Sequence, residues 1–446
     1  MNLLPFLGIV CIALSAPQSV PDTPRIPTLD RLEQGYLQRL HSDVEALGKQ
    51  SRSEEHLPSL FDYRCILHCH CYQSHDSRGT IEEISTAAKS VGIDCIFMSD
   101  HPRTDRDVVT RGPHGEVNGV LFVPGSETNG FLVYPGDYKL PDLSVSEQSL
   151  CDEVARSSGM IFVCHPEEHK DWGLKNITGM EVYNTHADFN DEKALLKTLQ
   201  PSGAAGYARL LKVLDNMKAY PREALSAIFD APRENLAHYD ALCKSHVIAA
   251  IAGNDSHQNT GFVVTGTADG KYRLTDSLGE EITVLDPAKT PLIALLFGPS
   301  VPDRVLFKRQ LDPYAISLGY VNTHVLASER TESALRKSLA ECRTYVAFDW
   351  IADARGTTFT YRSAGTGEAS TIGDTCSLSA GAILRFHSPL PAVSRLMKDG
   401  AVVSETTGNT LEFAVREPGV YRVESLLKVG GELRGWIYTG AIRVEK

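Results

Sequence analysis

Between Phe61 and Asn259, short apolar runs of β type alternate with stretches of helical period, and five of those runs stop at side chains that bind metals. Cys65-Ile66-Leu67 runs into His68-Cys69-His70, and Cys95–Met98 runs into Ser99-Asp100-His101. Val120–Val123 precedes Pro-Gly-Ser-Glu127, Met160–Cys164 ends on His165, and Val247–Ala252 leads to Gly-Asn-Asp255-Ser-His257. Strands that alternate with helices imply βα units and a parallel sheet. Met180–Tyr183 adds another strand, and their number favours an α/β barrel, closed or nearly so. In such a barrel all strand C-termini open on one face, so residues far apart in sequence converge there.

Local signals mark the elements. Thr80-Ile81-Glu82-Glu83 makes a capping box, and Ile81, Ile84, Ala88 and Val91 keep helical period as far as Gly92. Leu29, Leu32, Tyr36, Leu40, Val44 and Leu47 recur at helical spacing and predict one amphipathic helix, docked on its own domain. Lys271–Val284 alternates like a hairpin around Ser277-Leu278-Gly279, and Glu329–Cys342 is a helix near the end of the barrel region. After Ala352 short strands follow at regular spacing, with Lys398-Asp399-Gly400 and Glu417-Pro418-Gly419 as turns, the texture of a β-sandwich.

With 446 residues the chain is too long for one ordinary domain. No charged side chain precedes Asp22, and the apolar run Leu3–Ala16 with Ala13-Leu14-Ser15 reads as a secretory leader. No Lys or Arg precedes that run, so an uncleaved membrane anchor is the alternative. The expected organisation is a signal peptide at 1–16, a tether and helix at 17–60, the barrel at 61–352 and an immunoglobulin-like sandwich at 353–446. An exported protein, periplasmic or extracellular, is expected.

A formal net charge of −12 argues against binding to nucleic-acid duplexes or anionic lipid. Cys11 lies in the leader, so nine of the ten cysteines remain and at least one is unpaired. Their spacing matches no zinc-finger or CxxC pattern, and no disulfide framework is expected. No nucleophile elbow, Walker loop or dinucleotide fingerprint is present.

Mixed imidazole and carboxylate ligands suit Zn²⁺, Mn²⁺ or Fe²⁺ and do not choose among them. A carboxylate such as Glu127 can bridge two ions, which acidify a shared water and neutralise charge on phosphoryl oxygens. Hydrolysis then needs no protein nucleophile.

The segments LHCHCYQSHDS, FMSDH, PGSE, VCHPE, EVYN and GNDSH together resemble the PHP (polymerase and histidinol phosphatase) superfamily across roughly residues 61–260. A weaker match runs through SALRKSLAECRTYVAFD. The resemblance implies a distorted barrel of (β/α)7 type, two or three divalent ions, and phosphoester hydrolysis through a metal-activated hydroxide. By position His68, His70, Glu127 and Asp255 would hold the first ion, Glu127 bridging to a second held by His165. Asp76, His101 and His257 would hold the third, with the adjacent His75 as the alternative to Asp76. Asp100 is either a group that orients a ligand or a capping or solvated loop carboxylate. The family commonly places another His soon after the bridging Glu, and Thr128–Leu140 contains none. Water, Glu167, Glu168 or His169 would then complete the second ion. Arg78 and Arg103 follow ligand positions, where each could grip a phosphate or remain a solvated charge.

The expected function is a phosphoesterase for a small phosphomonoester or nucleotide, with no stable protein partner implied. Amide or other ester hydrolysis at the same metals is one alternative, and a binding protein on a retained scaffold is another. All ligand candidates precede residue 258, so the sandwich is expected to be dispensable for catalysis.

Overall fold

The structure is a computed structural model describing residues 26–169, 172–191, 212–228, 230–289, 291–363 and 369–446. The leader expected at 1–16 lies outside the described residues. No described helix is long and apolar enough to cross a membrane.

The chain is a mixed α/β protein with one 14-stranded sheet, one of five strands and one of four. In the large sheet β1 (Phe61–Ile66), β2 (Cys95–Phe97), β3 (Gly115–Val117) and β4 (Val120–Val123) lie together, with β1, β2 and β4 parallel. Helix Ile81–Ser90 makes the crossover from β1 to β2. Thr80 accepts the Glu83 N–H while the Glu83 carboxylate reaches back, and Ile84 and Ala88 face inward. Burying the Ile84 side chain this way contributes about 1.5–3 kcal/mol. The five-stranded sheet runs β5 (Ser126–Thr128), β6 (Phe131–Tyr134), β7 (Met160–Val163), β8 (Gly179–Asn184) and β9 (Ala249–Gly253). Its last three strands are parallel, whereas β5 and β6 form a hairpin and β6 runs antiparallel to β7.

No sheet among the described residues closes on itself, so the barrel expected to be closed or nearly so is not closed by strand pairing. Its strands divide between two sheets, which share a core of Cys65, Leu67, Phe97, Val123, Leu132, Phe162 and Ile251. The seam is stitched by single contacts, such as the Cys69–Ser256 bridge and the Ala252 N–H to Thr323 Oγ1 bond of 2.9 Å.

After β9, the antiparallel strands β10 (Gly261–Gly266), β11 (Tyr272–Asp276), β12 (Glu281–Leu285) and β13 (Val305–Gln310) form the four-stranded sheet around Val264, Tyr272 and Ile293. The chain then returns through β14 (Asn322–Ala327), antiparallel to β1, and β15 (Thr344–Ala347).

β15 also pairs with the strand Glu432–Thr439, so hydrogen bonding runs unbroken across the boundary expected at 352. The strands beyond it are longer than their turn signals suggest. Ile383–Lys398 is a single 16-residue strand, with a register shift between His387 and Ala392 where Pro389 and Pro391 fall. A bulge is where a strand tolerates residues that cannot donate.

The expected N-terminal helix is broken into Thr28–Arg31 and Gln34–Gly48. Arg31 Nη2 and Tyr36 Oη both reach the buried Glu432 carboxylate, at 2.9 and 2.7 Å. Residues five apart on one continuous helix point about 140° away from each other, so the break lets both meet one acid. All nine described cysteines are free and buried.

Candidate metal centre

Backbone hydrogen bonds weld the loops after the strands into one floor. The His70 N–H donates to Ser256 O (2.9 Å), the Ser99 N–H to Cys69 O (2.9 Å), and the Glu127 N–H to Ser99 O (3.0 Å). The Tyr134 hydroxyl donates to Leu67 O, anchoring the residue before His68. His165 and Asp255 have φ of 47° and 49°, a left-handed conformation uncommon outside glycine, though Asp and His adopt it more readily than most residues. Strain of that sort collects at functional sites.

Three histidines meet one carboxylate oxygen. Glu127 Oε2 lies 2.9 Å from His68 Nε2, 3.1 Å from His70 Nε2 and 3.6 Å from His101 Nε2. The other oxygen, Oε1, faces His165 Nε2 at 3.4 Å and Cys164 Sγ at 3.8 Å. Asp255 Oδ1 is 3.2 Å from His68 Nε2 and Oδ2 is 3.2 Å from His165 Nε2. Asp76 Oδ2 sits 3.3 Å from His101 Nε2 and 3.1 Å from His257 Nε2, and the His70 and His257 rings stack at 3.9 Å. The structure thus groups His68, His70, Glu127 and Asp255 in one set of converging donors and His70, Asp76, His101 and His257 in another. Of the two alternatives at the first loop, Asp76 joins a set, while His75 is mostly exposed with Nδ1 4.0 Å from Asp76.

The electrostatics of the cluster are those of tightly coupled acids and imidazoles. Burial opposes ionisation of Asp255 and Glu127, yet the surrounding imidazoles hold both well below the usual carboxylate range. Burial likewise opposes charge on His165 and His257, but facing carboxylates, Asp255 foremost, raise each to about 9. His165 Nε2, Asp255 Oδ1 and His70 Nδ1 are buried with no hydrogen-bond partner. Buried polar atoms are ordinarily paired. The orphaned His165 Nε2 and Asp255 Oδ1, among these imidazoles and carboxylates, fit a site for divalent ions, whose charge would satisfy both.

Glu181 has no role in the sequence reading beyond its place in the EVYN segment. Fully buried, it accepts from His68 Nδ1 (2.6 Å), the His165 N–H (3.0 Å) and Asn184 Nδ2 (2.9 Å). An acceptor at Nδ1 fixes the proton there and leaves the Nε2 lone pair for a cation. A Cβ at Gly253 would lie 2.2 Å from Glu181 Oε1, so only glycine fits beside it. The available signal was an acid inside an otherwise apolar strand. The Tyr314 hydroxyl donates to His70 O (2.7 Å) and contacts Ser77 Oγ (3.0 Å), bracing the loop that carries His70 and Asp76 from a residue far downstream. Asp100, nearly fully buried, accepts the Cys71 N–H (2.7 Å) and so holds the loop that carries His70.

Several candidates stand outside the cluster. The Arg78 guanidinium donates to the carbonyls of His75 and Ser77, and Arg103 forks onto Asp105 (2.9 and 3.2 Å). Glu167 accepts from Asn235 Nδ2, Glu168 is exposed, and the His169 ring packs edge-on against Trp172.

No protein-family model and no curated protein matches this chain. Among solved structures it is similar to a two-domain protein from Bacteroides vulgatus containing a predicted PHP-like metal-dependent phosphoesterase. The identity is 13% and the TM-score 0.34, covering 88% of this chain and 100% of that one.

Proposed function

We propose that this chain is a metal-dependent phosphoesterase acting on a small phosphomonoester or nucleotide. The observation that supports it is the division of labour at Glu127, with one oxygen toward His68, His70 and His101 and the other toward His165. That arrangement suits two cations sharing a carboxylate. His68, His70, Glu127 and Asp255 would hold the first ion, and Glu127 with His165 the second. Asp76, His101 and His257 would hold a third. Such ions, when bound, supply the Lewis acidity that activates water and neutralises phosphoryl charge.

The residues themselves set access and position. The side chains of His68 and His70 are 0% exposed, against 24% for Asp76, 27% for His101 and 22% for His165. Substrate therefore enters from the Asp76–His101–His165 side. Arg78 follows Asp76 by two positions and would reach a phosphate there by exchanging its backbone partners, whereas Arg103 would first have to leave Asp105. The two facing sheets are, in this reading, a split form of the distorted (β/α)7 barrel. The 353–446 strands form a sandwich-like appendage, and a leader at 1–16 exports the protein.

A bound-metal measurement on the purified full chain, paired with phosphate release from a panel of phosphoesters, tests the proposal. Metal together with turnover supports it. Metal without phosphate release would move the reading to amide or other ester hydrolysis, and no bound metal would leave only a binding scaffold.

A further inference from the structure

The second cation position is short of donors. No histidine stands between Glu127 and His165. Asp255 Oδ2, 3.2 Å from His165 Nε2, belongs to a carboxylate counted with the first ion, and both oxygens of Glu181 are already taken by three donors. What remains beside Glu127 Oε1 is sulfur, with Cys164 Sγ buried 3.8 Å away and His165 Nε2 at 3.4 Å. These separations match the edges of a tetrahedral site. An ion about 2.3 Å from sulfur and about 2.1 Å from oxygen spaces those donors about 3.6 Å apart, and nitrogen and oxygen about 3.4 Å apart. His165 Nε2, buried without a hydrogen-bond partner and 3.2 Å from Asp255 Oδ2, independently marks the place as one suited to a cation. The neighbouring cysteines point elsewhere, Cys71 Sγ to Asp100 at 3.1 Å and Cys69 Sγ to the His70 carbonyl at 3.9 Å.

We propose that Cys164 is a sulfur ligand of the second ion, completing a set with Glu127 and His165. This rests on the metal-dependent reading above but not on the phosphoester one. On binding, the S–H bond breaks, its proton leaves to solvent, and the sulfur keeps the electron pair it donates to the cation. A thiolate makes that position prefer Zn²⁺ over Mn²⁺, which favours oxygen donors. The bridging pair is then chemically unequal, a softer ion beside Cys164 and a harder-tolerant one among His68, His70 and Asp255.

The test is spectroscopic and uses the full chain, stripped with a chelator and titrated anaerobically with Co²⁺ alone. Sulfur ligation gives an intense near-ultraviolet sulfur-to-cobalt charge-transfer band, expected in the wild type, lost in Cys164→Ser and kept in Cys69→Ser. Competition should show one Zn²⁺ equivalent weakened at least about tenfold by Cys164→Ser, with Mn²⁺ binding changed by less than about twofold. Cobalt that binds the wild type with visible-region bands but no charge-transfer band overturns the proposal and leaves the phosphoesterase reading standing. A band that survives Cys164→Ser also overturns it. Absence of any cobalt binding overturns both.

Discussion

Replacing Glu181 with glutamine removes one negative charge and almost no volume, yet it cannot satisfy the three donors that Glu181 accepts. The amide has one oxygen. If it faces His68 Nδ1, the amide nitrogen points at the His165 N–H and at Asn184 Nδ2, leaving two buried donors unmet at about 2–6 kcal/mol in total. Asn184 cannot turn to help, because its Oδ1 already accepts the backbone N–H groups of His186 and Ala187 at 2.8 and 2.9 Å. The cheaper solution reverses the amide. The His68 ring then moves its proton from Nδ1 to Nε2, where Glu127 and Asp255 accept it at 2.9 and 3.2 Å. In the metal-free protein the carboxylates around His68, Glu181 among them, favour the charged ring, so the exchange gives up a buried charge pairing and costs stability. Toward a cation the loss is greater, since the lone pair at Nε2 is gone. Glu181→Gln should therefore unfold at a lower temperature than the wild type after chelation, and bind its first ion about 10–100-fold more weakly. Metal titration gives the affinity, and the ¹⁵N shifts of His68 report which nitrogen carries the proton. Wild-type metal affinity in a folded Glu181→Gln protein, with the proton still on Nδ1, would refute the reasoning.

Stripping the ions should abolish hydrolysis, and added Mn²⁺ or Zn²⁺ should restore it, read as phosphate release before and after chelation. Glu127→Gln should stay folded, lose at least one metal equivalent by elemental analysis and slow turnover by orders of magnitude. His165→Ala should deplete the second ion and spare the first, whose other proposed ligands remain. A chain ended at Ala352 would lose the strand that pairs with β15, so it should aggregate rather than retain activity, which light scattering checks. His324 is fully buried between Asp62 (2.7 Å) and Asp349 (2.9 Å); burial opposes its charge, but the two carboxylates raise its pKa from 6.5 to about 9. Its contribution, about 3 kcal/mol, is whole below about pH 6.5 and lost as pH rises through about 9. The stability gap between wild type and His324→Gln in urea should accordingly narrow between pH 6 and pH 10.

What could be read in advance was what neighbouring residues decide. The capping box at Thr80–Glu83, the strand at Val120–Val123 and the hairpin around Leu278 depend on contacts within a few positions, and each stands where its local pattern puts it. The metal-type residues at strand ends were legible for the same reason: parallel strands deliver their C-termini to one face whatever the details of closure. Pairing across the chain was not legible. β6 lies antiparallel to β7, so Glu127 reaches the centre from a hairpin strand rather than from a loop. The break after Arg31 answers to Glu432, some 400 positions away, and no helical stripe carries that information. Pro389 and Pro391 fall inside one long strand, where a bulge set by the partner strand absorbs them. Glu181 and Cys164 escaped for a related reason, since both sit in or at the end of apolar strands where periodicity counts only hydrophobicity. An acid buried at 0% exposure beside a histidine has a cost that only a partner explains. The residues that break a strand's apolar pattern are therefore the ones to test for contact with the metals, ahead of the exposed arginines that flank them.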